Sequence, residues 1–503
     1  MMRESRVRNG RANRAWRLVL IAVASLFALD GCTLINFLSS HSQSSGPKPE
    51  VEGKRVSVLT FDKPLQVSDS LADVSVEIPH PYLNEDWPQT GGYSSHTMYN
   101  LRGPGMFKRL WTVEVGHGGD IGSRVVMSPI VADGKVFAMD TQVQVAAFDA
   151  QSGHGLWRTS LAISPEKPEV GFGGGLAFDN GVLFVATGFG DVFALHPNDG
   201  TIIWRQRLDE PFRTAPTANG GRIYVTSADD QLFVLDENDG HVLWSYRAIE
   251  EGAHILSETS PAVAGDAAVA PFSSGELVAF LSDNGHVTWQ DSLTRTGRFT
   301  SISTLNDIAG SPVIDHGDVF AVSHSGRMVA IDLRTGQRIW SAEIASIETP
   351  WVAGDFVYLI TTDGQLLCIY RKDGSIKWIT QLRAFEDAKS RKRPIVWSGP
   401  IMVGNQLVLV SSHKQGVTVN PTDGAVMSKF DLPDKVYTAP IIANNIVYVY
   451  TNDAKLIAFG DPRLAGPARP SEPKVHHAAK PKPGEIPKTK HGFWQVPDWV
   501  PVF

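Results

Sequence analysis

Apolar residues along this chain come in short alternating runs of four to seven, each bounded by turn residues. Lys135-Val136-Phe137-Ala138-Met139 follows Asp133-Gly134, and Arg222-Ile223-Tyr224-Val225 follows Gly220-Gly221. Period-two alternation behind a Gly-containing turn predicts hairpins of half-buried strands, and no stretch of comparable length shows the 3.6-residue period of an amphipathic helix. The pattern also repeats. A turn glycine is followed four residues later by tryptophan at Gly153/Trp157, Gly200/Trp204, Gly240/Trp244, Gly285/Trp289, Gly336/Trp340 and Gly374/Trp378, and a seventh turn at Gly424 has Ser428 in the tryptophan position. A second marker precedes each unit: Ser128-Pro129, Gly175-Leu176, Ala215-Pro216, Ser260-Pro261, Ser311-Pro312, Thr349-Pro350, Gly399-Pro400 and Ala439-Pro440. Eight markers spaced 38 to 51 residues apart describe eight four-stranded units, too long for most paired-helix repeats.

The predicted fold is therefore all-β, an eight-bladed β-propeller. The last unit ends at Leu456-Ile457-Ala458-Phe459 without a fourth strand, while Leu110-Trp111-Thr112-Val113-Glu114-Val115, ahead of the first unit, has the look of Ile339 to Ile344. An N-terminal strand carrying Trp111 is expected to complete the last blade and hide the two edges that an open array would expose.

Outside the repeats the chain changes character. Six arginines before residue 18 and the apolar run Leu18 to Leu29 make a signal peptide, short for a membrane span. It ends in Leu29-Asp30-Gly31-Cys32, which resembles a bacterial lipobox; acylation of the Cys32 thiol would anchor the protein in a bilayer. The expected organisation is a signal peptide at 1–31, a Ser/Pro-rich tether at 32–86, a propeller at 87–460 and a Pro/Lys-rich tail at 461–503 with an aromatic end.

With 42% hydrophobic residues the chain has ample core material, and thirteen Trp with 46 Gly suit many short strands. The net charge of -7 includes the basic leader, so a nucleic-acid partner is disfavoured. Only Cys32 and Cys368 occur, which excludes a disulfide framework, and Cys368 falls in a repeat position otherwise filled by small side chains. No Gly-x-Ser-x-Gly, His-Glu-x-x-His or phosphate-loop pattern is present, and no metal set emerges from the scattered histidines. The basic run Lys389 to Arg393 reads as a solvated face, with an acidic partner or lipid headgroup as the alternative.

Ala330-Ile331-Asp332-Leu333-Arg334-Thr335-Gly336-Gln337-Arg338-Ile339-Trp340 resembles the tryptophan-docking repeat of quinoprotein-type propellers. The resemblance implies that Trp111, Trp157, Trp204, Trp244, Trp289, Trp340 and Trp378 are structural, each packed between neighbouring blades. Two branches of that superfamily remain. Quinone-dependent dehydrogenases need a calcium site and an Asp base and often carry an adjacent cysteine pair, which this chain lacks. The BamB lipoproteins help the β-barrel assembly machine insert outer-membrane proteins, and the chain resembles them along some 70% of its length, best from Leu305 to Trp340. A periplasmic oxidoreductase dependent on pyrroloquinoline quinone is the alternative. The BamB resemblance implies no enzyme activity, no cofactor, an outer-membrane location on the periplasmic side, and a barrel-assembly subunit (BamA-like) as partner. It places the partner face in the loops His254-Ile255-Leu256-Ser257-Glu258 and Leu305-Asn306-Asp307-Ile308-Ala309. There Ile255 and Leu256 would be exposed anchors and Glu258 and Asp307 rim acceptors. The family's Arg in the first loop and its second Asp in the other have no counterpart here.

Overall fold

A computed structural model describes residues 64–105, 107–119, 124–162, 173–208, 210–251, 255, 257, 259–294 and 306–463. Eight four-stranded antiparallel sheets make up the body. Blade 1 comprises Ile130–Ala132, Lys135–Met139, Gln144–Asp149 and Gly155–Ser160, and the following blades repeat that order of strands from the axis outward. Burial explains the sequence pattern. The first three strands of each blade are largely buried, whereas outer strands such as Ile202–Arg207 and Val242–Arg247 alternate between exposed and half-buried residues. Only those outer strands need polar alternation.

Ring closure follows the sequence expectation. Lys108–Glu114 pairs antiparallel with Lys455–Gly460, in the strand order that makes it the outer strand of blade 8, with Thr112 opposite Ile457 and Val113 opposite Leu456. Each repeat tryptophan then seals one blade to the next. The indole Nε1 donates to a turn carbonyl of the following blade: Trp111 to Gln151 at 2.9 Å, Trp157 to Pro197 at 2.9 Å, Trp204 to Glu237 at 3.0 Å and Trp244 to Ser282 at 3.0 Å. Trp289 to Leu333 at 2.6 Å, Trp340 to Arg371 at 2.6 Å and Trp378 to Pro421 at 3.0 Å continue the series. The ring face covers the turn glycine. At Gly336, with φ +70°, a β-carbon would lie 2.5 Å from Trp289, so both the backbone conformation and the close approach require glycine.

The exception at Ser428 has a structural reason. Every docking turn joins the third and fourth strands of a blade, but in blade 8 these strands come from opposite ends of the chain and no turn joins them. A tryptophan at 428 would have nothing to cover. Ser428 instead hydrogen-bonds Thr418 at 2.8 Å, and that junction is packed by Phe430 against Phe107 and Phe459, with ring centroids 5.8 and 6.0 Å away.

Residues 84–101 add a feature not foreseen from the repeats. This segment makes one lap around the axis and bonds to all eight blades in turn. Trp87 N donates to Val131 O, Phe178 N to Pro88 O, Val263 N to Ser94 O, Ile314 N to Ser95 O, Leu101 N to Met402 O and Asn444 N to Asn84 O, at 2.7 to 3.1 Å. Ala218 N donates to Gln89 Oε1 at 2.9 Å, and Trp351 Nε1 to Tyr99 O at 2.8 Å. These contacts lie where the innermost strands turn back, so the segment is a hub closing one end of the axial channel.

The folded body also begins earlier than the expected tether boundary at 86. It starts at Leu65, and the segment behind it packs on blade 6: Ser68 N donates to Ile376 O at 2.9 Å, and Lys377 Nζ to Leu71 O at 2.5 Å. The strap carries a short alternating run, Val74-Ser75-Val76-Glu77-Ile78, whose apolar side chains pack on the core, but its Ser- and charge-rich surroundings read as a tether.

Candidate functional site

The end opposite the hub is an open funnel of about 450 Å³. Its lining comes from the starts of the innermost strands and the loops leading into them, including Ser128, Thr349, Gly399 and Thr438, and Trp87, Thr90, Gly91 and His96 of the hub form its floor. Most of the wall is apolar: Val126, Ile255, Ile347, Trp351, Val396 and Ile401. Within it the Trp87 Nε1, Ser257 Oγ and Thr438 Oγ1 atoms are buried without hydrogen-bond partners. Arg124 stands over the Tyr437 ring, 4.8 Å from its centre. An apolar cup with a few unsatisfied donors suits an inserted side chain whose main chain brings acceptors.

His96 holds the floor in place. Its Nδ1 lies 2.6 Å from Pro312 O and its Nε2 3.1 Å from Ser260 Oγ. The carbonyl can only accept, so Nδ1 carries the proton and Nε2 accepts from the serine. Burial lowers the His96 pKa to about 4, keeping the ring neutral.

Of the expected partner-binding residues, Leu256 and Glu258 lie outside the described residues, as does Cys32. Ile255 is half-buried and lines the funnel. Asp307 departs from its expected role as a rim acceptor: it is 0% exposed. One carboxylate oxygen accepts from Arg213 Nη2 at 2.8 Å and the other from the Ile255 main-chain N at 2.6 Å. Arg213, 3% exposed, precedes blade 3 and also approaches Asp230 at 3.9 Å. Asp230 in turn accepts from the Ser273 N at 2.9 Å and from the Ser273 hydroxyl. Burial pushes the Asp230 carboxyl above its ordinary range. Arg213, Ile255 and Asp307, which precede blades 3, 4 and 5, are thus tied to one buried charge cluster, and Asp307 holds the Ile255 main chain in place. The family resemblance set Asp307 at an exposed rim, and sequence reasoning passed over Arg213. The available signal was an arginine in Phe212-Arg213-Thr214-Ala215-Pro216, directly ahead of a strand-start marker.

Other expected features fall into place as structure. Cys368 is buried and burial pushes its thiol well up, as suits a packing residue. The basic run belongs to a small hairpin, Phe385–Asp387 with Lys392–Pro394, where Arg393 pairs with Glu386 at 2.9 Å. Calcium needs several oxygen ligands. Among the described residues the funnel lining offers a single carboxylate, Glu348, whose Oε2 already accepts from Gly399 N at 3.0 Å. The donor set therefore does not fit the calcium-dependent quinone site of the dehydrogenase branch.

Known proteins give the same division. The family model described as outer membrane protein assembly factor BamB matches residues 38–167 and 141–380. Outer membrane protein assembly factor BamB of Escherichia coli (strain K12) is 30% identical over 348 residues, 68% of this chain and 86% of that protein. Its counterpart in Salmonella typhimurium is 29% identical over 354 residues, covering 69% and 88%. Among solved structures, BamB from Moraxella catarrhalis superposes with a TM-score of 0.60 at 18% identity, covering 71% of this chain and all of that one. A europium-containing methanol dehydrogenase gives 0.61 at 13% identity over 75% and 98%, so the fold alone does not separate the two branches, whereas the family model and the sequence relatives do. This chain belongs to the BamB family of outer membrane protein assembly factors.

Proposed function

We propose that the protein is a non-catalytic scaffold of outer-membrane protein assembly, holding a barrel-assembly subunit at its funnel end while a lipid on Cys32 keeps it at the periplasmic face of the outer membrane. The observation that carries this reading is the construction of that end. Half-buried Ile255 stands on a loop fixed by the Arg213–Asp307 pair, beside an apolar cup with unsatisfied donors. A pre-set apolar anchor rimmed by hydrogen-bonding groups is how a stable protein interface concentrates its affinity. Family membership supplies the partner's class: its relatives are named outer membrane protein assembly factors. The protein's role in this reading is positional, and no reaction is assigned to it.

Co-purification from detergent-solubilised membranes tests the reading. The full chain is expected to bring down a barrel-assembly subunit, and Cys32→Ser is expected to leave the outer-membrane fraction while keeping its fold. A folded, membrane-bound protein that recovers no such subunit would overturn the scaffold role, and unchanged mass and fractionation of Cys32→Ser would overturn the anchor.

A further inference from the structure

Two blade junctions of the ring are built alike but filled differently. Between blade 5 (Val313–Asp315, Asp318–Val322, Met328–Asp332, Arg338–Ala342) and blade 6, the turn residue Arg371 reaches back across the junction. Its guanidinium donates to Asp315 Oδ2 at 2.6 Å, to Asp318 Oδ2 at 3.2 Å and to the carbonyls of Gly354 and Asp315 at 3.3 and 3.2 Å, and it lies 5.4 Å from the centre of the Phe320 ring. The slot is an aromatic wall with a carboxylate at its back.

Blade 2 (Gly174–Asp179, Val182–Thr187, Asp191–Leu195, Ile202–Arg207) and blade 3 (Thr217–Asn219, Arg222–Thr226, Gln231–Asp236, Val242–Arg247) repeat most of that construction, with Val182 in the place of Asp318. Asp179 ends the innermost strand as Asp315 does, Phe184 takes the place of Phe320, and Trp204 that of Trp340; the two Phe–Trp pairs have centroids 6.0 and 6.2 Å apart. Glu237 stands where Arg371 stands: its N donates to Gly221 O as the Arg371 N donates to Asp355 O. The cation is gone and a second carboxyl has replaced it. A cavity of about 340 Å³ remains, lined by Asn180, Val182, Phe184, Ile203, Trp204 and Glu237 among others.

Glu237 is 7% exposed, and its two oxygens differ: Oε2 accepts from Asn180 Nδ2 at 2.9 Å, while Oε1 is buried without a donor. We infer that this cavity is a binding site for a guanidinium group, the side chain of an arginine presented by an extended segment of another polypeptide. The ring itself shows the fit, because a similar framework already holds a guanidinium three blades further round. A polypeptide is the source the surroundings favour. The adjoining outer strand has an unpaired edge, and beside the cavity it exposes Ile202 and Ile203, 51% and 41% accessible, against which the aliphatic stem and its neighbours can lie. This site is at the hub end, away from the funnel, and it stands independently of the assembly reading.

Binding has a proton signature. Burial first, and then the neighbouring Asp179 and Asp236, push Glu237 up to about 8, with Asn180 acting the other way. An arriving guanidinium must displace that proton, so affinity rises as pH increases through about 8. Tyr224 and Arg222 of blade 3, and Asp283 of blade 4, which accepts from Arg222 at 2.7 Å, are further ionisable groups in the neighbourhood.

The test titrates acetyl-arginine-amide into the purified full chain, followed by calorimetry and by the indole signals of Trp204. Saturable binding that strengthens by up to about tenfold from pH 7 to pH 9 is expected, with Glu237→Gln losing both the affinity and the pH dependence. Glu237→Arg should abolish binding while the thermal midpoint holds or rises, because the new guanidinium would fill the slot as Arg371 does. Absence of saturable binding to the wild type, or equal binding by the wild type and both variants, would overturn the site. Binding that appears only after removal of residues 464–503 would overturn the external source and assign the slot to the chain's own tail.

Discussion

The two ends of the propeller are built on opposite plans. At the hub end, one segment bonds to all eight blades and the turns are fixed by seven indoles, so backbone groups are paired and the packing leaves little choice. At the funnel end the polar groups are arranged around an opening: Trp87 Nε1, Ser257 and Thr438 are left without partners, and the loops rest on a charge cluster of one arginine and two aspartates. The difference teaches that the ring separates its tasks along the axis. The hub end and the blade junctions supply rigidity, and the funnel end spends part of that rigidity on groups that a partner would satisfy.

The comparison breaks most severely if the ring is opened. Deleting residues 108–115 strips blade 8 of its outer strand and blade 1 of the Trp111 seal, and loss of cooperative unfolding is expected by circular dichroism. Next in size is Arg213→Met. Removing the cation leaves Asp230 and Asp307 buried and unpaired, a cost of about 3–5 kcal/mol. The variant should therefore unfold at markedly lower denaturant, whereas Asp230→Asn, which leaves the Arg213–Asp307 bond in place, should cost less.

Acid probes the hub through His96. The folded-state pKa of His96 is depressed from 6.5 to about 4, so between those values the unfolded chain binds the proton and the native one does not. Stability is then lost as pH falls from about 6.5 towards 4, by up to about 3 kcal/mol from this residue. Denaturant titrations of His96→Gln should show that part of the acid slope removed. Smallest in stability is Ile255→Ser, expected to cost about 1 kcal/mol or less at a half-buried position, yet to lose recovery of the barrel-assembly subunit.

The ring was legible in the sequence, and the reason is physical. A repeat that must dock one indole on one glycine leaves Gly and Trp four residues apart in six of the eight units, and the missing fourth strand of blade 8 could be matched to Trp111 because strands carry a period. Even the lapse at Ser428 was visible, although its cause, the absence of a turn in the blade closed by two chain ends, needed the topology. The hub was not legible. Many of its contacts are main-chain hydrogen bonds, which any residue can make, and the side chains that add to them follow no period over residues 84–101. The funnel site was half legible: the resemblance pointed to the loops around Ile255 and Asp307 but set Asp307 at the rim, and only the fold shows Arg213, ninety-four residues away in sequence, at its side.

The central claim, that the funnel end meets the partner and the hub end does not, is tested most directly by site-specific photo-cross-linking in intact cells. A photoreactive residue at position 255 and another at position 220, in a hub-end turn of blade 3, should behave oppositely: position 255 is expected to yield an adduct with a barrel-assembly subunit and position 220 none. An adduct from position 220 with none from position 255 would contradict the account.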